Sequence, residues 1–131
     1  MTLKPFEKQQ YLTIETFRKT GLGVKTPVWF AQEGETLYVW TQAQSGKVKR
    51  IRNNSAVRIA PSTGSGEPLG EWLPAQAKLE ETPEALKHVN ALMSKKYGFL
   101  FHLFGFLGKL RSSSPYTAIQ IQVQPQPVPE N

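Results

Sequence analysis

The chain has 131 residues, and its 16 lysines and arginines against 10 glutamates give a net charge of +6. Because it contains no cysteine and no aspartate, it cannot form disulfides, thiolate zinc sites, a Ser-His-Asp triad or an aspartic dyad. Its length suits one domain over residues 1–131, and its positive charge favours an anionic ligand or partner.

Alternating apolar and polar residues predict three sequential strands in the first third of the chain. They cover residues 11–17, 24–31 and 36–41, and a short glycine-containing turn follows each of the first two. Strands joined by such short connections form an antiparallel meander.

The rest of the chain predicts three more strands and three helices. In order, these are a helix at 45–53, a strand at 56–60, a loop at 61–70, a strand at 72–80, helices at 82–98 and 99–110, a strand at 116–124 and a frayed tail at 125–131. Six largely sequential strands with late helices indicate a mainly β fold, an antiparallel barrel with helical lids.

No segment suits a membrane span or a metal site. The N-terminus lacks the apolar core of a signal peptide, and the longest apolar stretch, 99–107, is too short to cross a bilayer. The two histidines, His88 and His102, do not have the spacing of a zinc motif. We therefore expect a cytoplasmic protein with no membrane partner and no metal.

The segment 40–50, W-T-Q-A-Q-S-G-K-V-K-R, has the features of an anion site. A strand end supplies the hydroxyl of Thr41, and a helix opens at Ser45 and Gly46, where backbone amides carry positive partial charge. Lys47 in the first helical turn is unfavourable beside the helix dipole unless an anion is bound, which suggests a phosphate monoester. The alternative is a solvated basic helix with an ordinary serine cap.

The segment 26–30, T-P-V-W-F, is a strand that carries proline and two adjacent aromatic residues. Neighbouring side chains point to opposite faces, so one ring can fill a barrel while the other stands at its wall. An unpaired backbone stretch here could meet the polar edge of a planar heterocycle. The alternative is ordinary core packing.

Taken together, T-P-V-W-F and the later L-Y-V-W-T…S-G-K-V-K-R-I resemble the pyridoxamine 5′-phosphate oxidase-like flavin-binding split barrels, and most closely their deazaflavin (F420) branch. The resemblance covers roughly residues 11–97, and K-K-Y-G at 95–98 fits it as well. It implies a six-stranded antiparallel split β-barrel of the FMN-binding type. It also implies a homodimer that binds the flavin between its protomers.

The resemblance also assigns roles to residues of this sequence. Thr26, Pro27, Val28, Trp29 and Phe30 would line the ring system, Trp40 and Thr41 would lie beside the ribityl chain, and Ser45, Gly46 and Lys47 would hold the phosphate, with Lys49 or Arg50 as a weaker candidate. The C-terminal arginine and histidine arrangement of true pyridoxamine phosphate oxidases is absent, so vitamin B6 oxidation is not expected.

The function implied is an FMN- or F420-dependent oxidoreductase that acts on a small substrate, with the chemistry carried by the cofactor ring. The basic run from Lys47 to Arg52, with Arg58, is either a solvated face or a groove for the polyglutamate tail of F420. Two other functions remain open. One is a flavin carrier without turnover, and the less favoured one is a nucleic-acid-binding barrel that uses Trp29, Tyr38 and Trp40 as stacking platforms.

Overall fold

Six antiparallel strands close into one barrel in the computed structural model, which describes residues 3–103 and 115–124. The strands are β1 (Tyr11–Phe17), β2 (Gly23–Glu33), β3 (Thr36–Gln42), β4 (Ala56–Ser62), β5 (Leu73–Glu80) and β6 (Tyr116–Val123). They are arranged in the order β1-β2-β3-β6-β5-β4, and β4 closes the ring by pairing with β1. The predicted fold class and the β1–β2–β3 meander are confirmed.

Within the described residues, two α-helices, a 3-10 turn and a further helical segment accompany the barrel. The turn covers Lys4–Phe6, α1 covers Gly46–Asn53 and α2 covers Pro83–Tyr97. The side chain of Thr82 accepts a hydrogen bond from the Ala85 amide and caps α2, at the first residue of the helix predicted over 82–98. Residues 99–103 are helical, whereas the rest of the predicted helix at 99–110 and the predicted tail at 125–131 lie outside the described residues. None of the described helices is long and apolar enough to cross a membrane.

Pro61 and Ser62 belong to β4, and not to a loop as the sequence predicted. They pair with Leu12 and Tyr11 of β1, and the Ser62 hydroxyl accepts a hydrogen bond from Thr13 Oγ1 at 2.9 Å. Local composition favoured a loop because proline, serine and glycine dominate 61–70. Pairing with β1 overrides that preference for the first two residues.

The barrel interior and the outer surface under α2 form two separate apolar clusters. The interior is built from alternate residues of the strands together with the 3-10 turn: Phe6, Leu12, Ile14, Phe30, Leu37, Val39, Ile59, Ile119 and Ile121. Outside the barrel, Val89 and Met93 of α2 pack against Ala31 of β2 and Ala118 of β6. The helix α1 packs against β1 and β5.

β2 and β3 diverge along part of their length, which opens the barrel wall. Within the described residues they pair only from Phe30–Val39 to Glu33–Thr36. The rest of β2 continues alongside β1 back to Gly23, whereas β3 continues alongside β6 to Gln42. The N-terminal half of β2 therefore has an open edge on the side of β3.

Candidate functional site

The start of α1 brings together the side chains that the sequence predicted to bind an anion. β3 ends at Gln42 and α1 begins at Gly46, so only a short turn separates Thr41 from Lys47. Lys47 Nζ donates a hydrogen bond of 3.0 Å to Thr41 Oγ1, and Thr41 is 7% exposed. The ammonium is thus held against the barrel end and does not extend into solvent.

Arg50 adds a second positive charge to this site. Its Nε donates a hydrogen bond of 2.6 Å to the hydroxyl of Thr16, which is fully buried on β1. A Cβ atom on Gly46 would lie 2.8 Å from Arg50 Nη1, so glycine leaves room for the guanidinium above the first turn of α1. The sequence analysis did not predict Thr16 as a site residue. The one signal in the sequence is that Thr16 places a hydroxyl on the face of β1 that Leu12 and Ile14 make apolar.

The two cations make the site electrostatically suited to an anion. Burial, and then the charge of Arg50, lower the pKa of Lys47 below its ordinary value. Within the described residues, neither Lys47 nor Arg50 forms an ion pair with a carboxylate. A bound phosphate would relieve the repulsion and would also interact favourably with the N-terminal amides of α1.

Ser45 is at the N-cap position of α1, but its side chain does not cap the helix. The alternative interpretation of Ser45 as an ordinary serine cap is therefore wrong, because Ser45 makes no side-chain hydrogen bond to the first turn. Its Oγ is buried and has no hydrogen-bond partner among the described residues. A buried hydroxyl without a partner costs about 1–3 kcal/mol, and a phosphate oxygen at the start of α1 could accept its hydrogen bond.

The segment 26–30 forms the open-edged part of β2 and its junction with β3. Thr26, Pro27 and Val28 are partly buried and pair with β1 on one side only. Proline has no backbone N–H and suits such an edge. Since a strand rises about 3.3 Å per residue, Thr26 lies about 13 Å along β2 from Phe30. The segment is therefore long enough to contact a ligand of about that length.

Trp29 and Phe30 are held by the last two residues of α2. The rings of Trp29 and Tyr97 stack at a centroid distance of 4.3 Å and an interplanar angle of 4°. Tyr97 Oη accepts a hydrogen bond of 3.0 Å from the Phe30 amide. Its own proton is shared between two acceptors, the Phe30 carbonyl at 2.7 Å and the Gln10 carbonyl at 2.6 Å. Burial is the main cause that raises the pKa of Tyr97. Lys96 Nζ also donates to the Phe30 carbonyl, at 2.8 Å.

Trp40 lies apart from the charged cluster. Its ring stacks on Tyr116 at 5.7 Å and makes an edge contact with Phe101 at 6.1 Å, on the outer side of the barrel. Because neighbouring residues of a strand face opposite sides, Trp40 points away from the face that carries Thr41. The structure therefore brings together Thr41, Ser45, Gly46, Lys47 and Arg50 but not the indole of Trp40.

The remaining basic residues near this site either pair with a glutamate or are exposed to solvent. Arg52 pairs with Glu81 at 2.9 Å, and Arg58 pairs with Glu15 at 3.0 Å. Lys49 is exposed. Among the described residues of the basic run, the positive charges that are partly buried and have no carboxylate partner are thus those of Lys47 and Arg50.

Comparisons with known proteins identify the fold. No family model and no curated protein sequence matches the chain. A proposed pyridoxamine 5′-phosphate oxidase from Listeria innocua is 17% identical, with a TM-score of 0.65, and the match covers 95% of this chain and 91% of that one. HutZ, the heme storage protein from Vibrio cholerae, is 17% identical, with a TM-score of 0.69 and coverage of 96% and 93%.

A third solved structure, described as F420 reductase, is 17% identical, with a TM-score of 0.60 and coverage of 94% and 93%. At these identities the likeness establishes the architecture alone. The chain has the split-barrel fold of pyridoxamine 5′-phosphate oxidase-like proteins, so the fold that its sequence motifs implied is confirmed.

Proposed function

We propose that this chain, as a protein with the pyridoxamine 5′-phosphate oxidase-like split-barrel fold, binds FMN and acts as an oxidoreductase on a small substrate. The observation that carries the proposal is the pair of cations at the start of α1, Lys47 and Arg50, beside the buried and unpartnered hydroxyl of Ser45. This arrangement has the donors and the charge that a phosphate monoester needs.

The residues along β2 and β3 fit the rest of an FMN molecule. The open edge at Thr26, Pro27 and Val28 offers backbone groups to a planar ring, and Thr41, at the end of β3, is hydrogen-bonded to Lys47 of the proposed phosphate site. When bound, the flavin ring would supply the hydride or electron transfer, and the chain would bind and orient it. The resemblance implies a homodimer, in which a second protomer would complete the ring site.

The distribution of charge favours FMN over F420. A polyglutamate tail would need several positive side chains along its path. Arg52 and Arg58, however, already pair with Glu81 and Glu15, while one phosphate needs only Lys47 and Arg50. We therefore place F420 second.

A titration with both cofactors tests the proposal. We expect purified protein to bind FMN with a change in its absorbance bands, to bind F420 more weakly, and to run as a dimer in light scattering at micromolar concentration. Protein that takes up neither cofactor would contradict the proposal, and a monomer would contradict a site shared between protomers.

Ser45→Ala should weaken FMN binding about fivefold, because one hydrogen bond contributes about 1 kcal/mol. It should not lower the free energy of unfolding of the free protein, because Ser45 makes no capping bond that the substitution could remove and its buried hydroxyl without a partner is itself unfavourable. Thr82→Ala is the matched control: Thr82 does cap α2, so its loss should cost about 0.5–2 kcal/mol of stability and leave FMN affinity unchanged. Flavin fluorescence titrations and urea unfolding measure the two quantities.

A flavin carrier without turnover is the alternative function, and it uses the same cofactor site. Within the described residues, Lys47 and Arg50 have hydroxyl partners, and neither forms an ion pair with a carboxylate or contacts a histidine that could move a proton. HutZ, which has this fold, is described as a heme storage protein, and storage of a cofactor needs no turnover. Reduction of the bound flavin by nicotinamide donors, followed by reoxidation by a quinone, would distinguish an enzyme from a carrier.

The nucleic-acid hypothesis loses its main support. Trp29, Tyr38 and Trp40 pack against the apolar cluster under α2, so their rings do not form an open stacking surface.

A further inference from the structure

A cleft at the C-terminal end of α2 contains a cluster of lysines that the proposed FMN site does not use. The cleft has a volume of about 390 Å³ and lies between the N-terminal turn, the end of β2 and the last turns of α2. Its charged lining consists of Glu7, Lys8, Lys95 and Lys96. A second cleft of about 300 Å³ shares Lys8 and Lys96 with it. Both volumes are at the lower end of the range for small-molecule sites.

Lys96 is the lysine most closely fitted to this cleft. Although the residue as a whole is exposed, its Nζ donates to the Phe30 carbonyl and lies 3.5 Å from the centroid of the Phe30 ring. Within the described residues it forms no ion pair, not even with Glu7 of the same cleft. Partial burial of the ammonium lowers the pKa of Lys96 to about 8.

The charge and the apolar surface of the two clefts indicate the class of ligand. Three lysines face one glutamate, so the lining is positive overall. Leu92 lines the larger cleft and Leu100, which is 45% exposed, lines the smaller one. A carboxylate matches the lysines, and an apolar group of a few carbon atoms matches the leucines.

We propose that these joined clefts bind a small organic acid, whose carboxylate contacts Lys8 and Lys96 and whose apolar part packs on Leu92 and Leu100. The proposal does not depend on FMN, because none of these residues belongs to the phosphate site at α1. Phe30 is the one residue that the larger cleft shares with the predicted ring-lining segment 26–30 of β2. A bound acid would therefore lie next to that strand.

Phenylacetate, titrated into protein free of flavin and followed by amide NMR shifts, tests the proposal at pH 7. We expect the shifts to centre on Lys8, Phe30 and Lys96. We expect its uncharged analogue, 2-phenylethanol, to bind at least about tenfold more weakly, because it lacks the charged partner of the lysines. No shifts at these residues, or equal binding of the two compounds, would overturn the proposal.

Substitutions then identify the lysines responsible. Lys96→Met and Lys8→Met should each weaken phenylacetate binding about tenfold, whereas Lys87→Met, an exposed position of α2 outside the cleft, should leave it unchanged. Lys8 makes no side-chain hydrogen bond within the described residues, so its variant tests the site even if Lys96→Met disturbs folding. Equal affinities for the Lys8 and Lys87 variants would count against the site.

The pH dependence gives an independent readout. Affinity should fall as the pH rises from 7 to 9, because Lys96 loses its proton near pH 8 and the neutral amine no longer attracts a carboxylate. The other titratable groups around the two clefts are Glu7, Lys8, Lys95 and Tyr97. Lys8→Met should keep this fall and Lys96→Met should lose it; a fall that persists in Lys96→Met would assign the titration elsewhere and contradict the role of Lys96.

Discussion

Lys47→Met should weaken FMN binding about ten- to hundredfold, since a hydrogen bond between an ammonium and a phosphate contributes about 1.5–3 kcal/mol. The same change should not destabilise the free protein. Burial and Arg50 lower the pKa of Lys47, which means that its charge is unfavourable in the fold when no anion is present. Flavin fluorescence titration and urea unfolding on the same samples measure both effects.

Lys49→Met is the matched control for this prediction. Lys49 is two residues away on α1 and carries the same charge, but its side chain is exposed and makes no hydrogen bond within the described residues. The control should retain nearly the full affinity for FMN. If both variants weaken binding equally, the effect comes from the general positive field of the helix and not from a phosphate contact at Lys47.

Tyr97→Phe should lower the free energy of unfolding by about 1–3 kcal/mol. The hydroxyl of Tyr97 accepts from the Phe30 amide and shares its proton between the Phe30 and Gln10 carbonyls, and these partners lose a hydrogen bond when it is removed. The phenylalanine ring can still stack on Trp29, so the substitution isolates the hydroxyl. Urea unfolding measures this effect. A lower midpoint with an unchanged m-value would show that the substitution lowers stability and does not alter the compactness of the folded or unfolded state.

Tyr38→Phe provides the comparison for Tyr97. Tyr38 also packs in the cluster under α2, but its hydroxyl makes no hydrogen bond within the described residues, so its loss should cost less than about 0.5 kcal/mol. Equal stabilities for the two variants would show that the Tyr97 hydroxyl does not anchor β2.

The elements that sequence reasoning predicted well are those whose signal is local. In β6, Ile119 and Ile121 alternate with Gln120 and Gln122, and the isoleucines are fully buried as that alternation requires. The sequence could also indicate that Thr41 and Lys47 lie close together, because the two residues are six apart and the end of a strand leads directly to the helix. Local pattern also gave the start of α2 at Thr82 and Pro83.

The features that sequence reasoning missed depend on distant parts of the chain. Arg50 binds Thr16 across 34 residues, and Tyr97 binds the Phe30 amide across 67, and neither separation leaves a periodic signal. The interpretation of Ser45 as a capping side chain was wrong for a related reason. Propensity puts serine at the N-cap position, but which way its hydroxyl turns depends on packing around the start of α1.

The affinity of FMN relative to riboflavin, which has the same ring and ribityl chain but no phosphate, tests the anion site at the start of α1 most directly. We predict that FMN binds at least tenfold more tightly and that it shifts the backbone amide signals of Gly46 and Lys47, whereas riboflavin does not. Equal affinities, or FMN shifts confined to residues away from α1, would contradict the account.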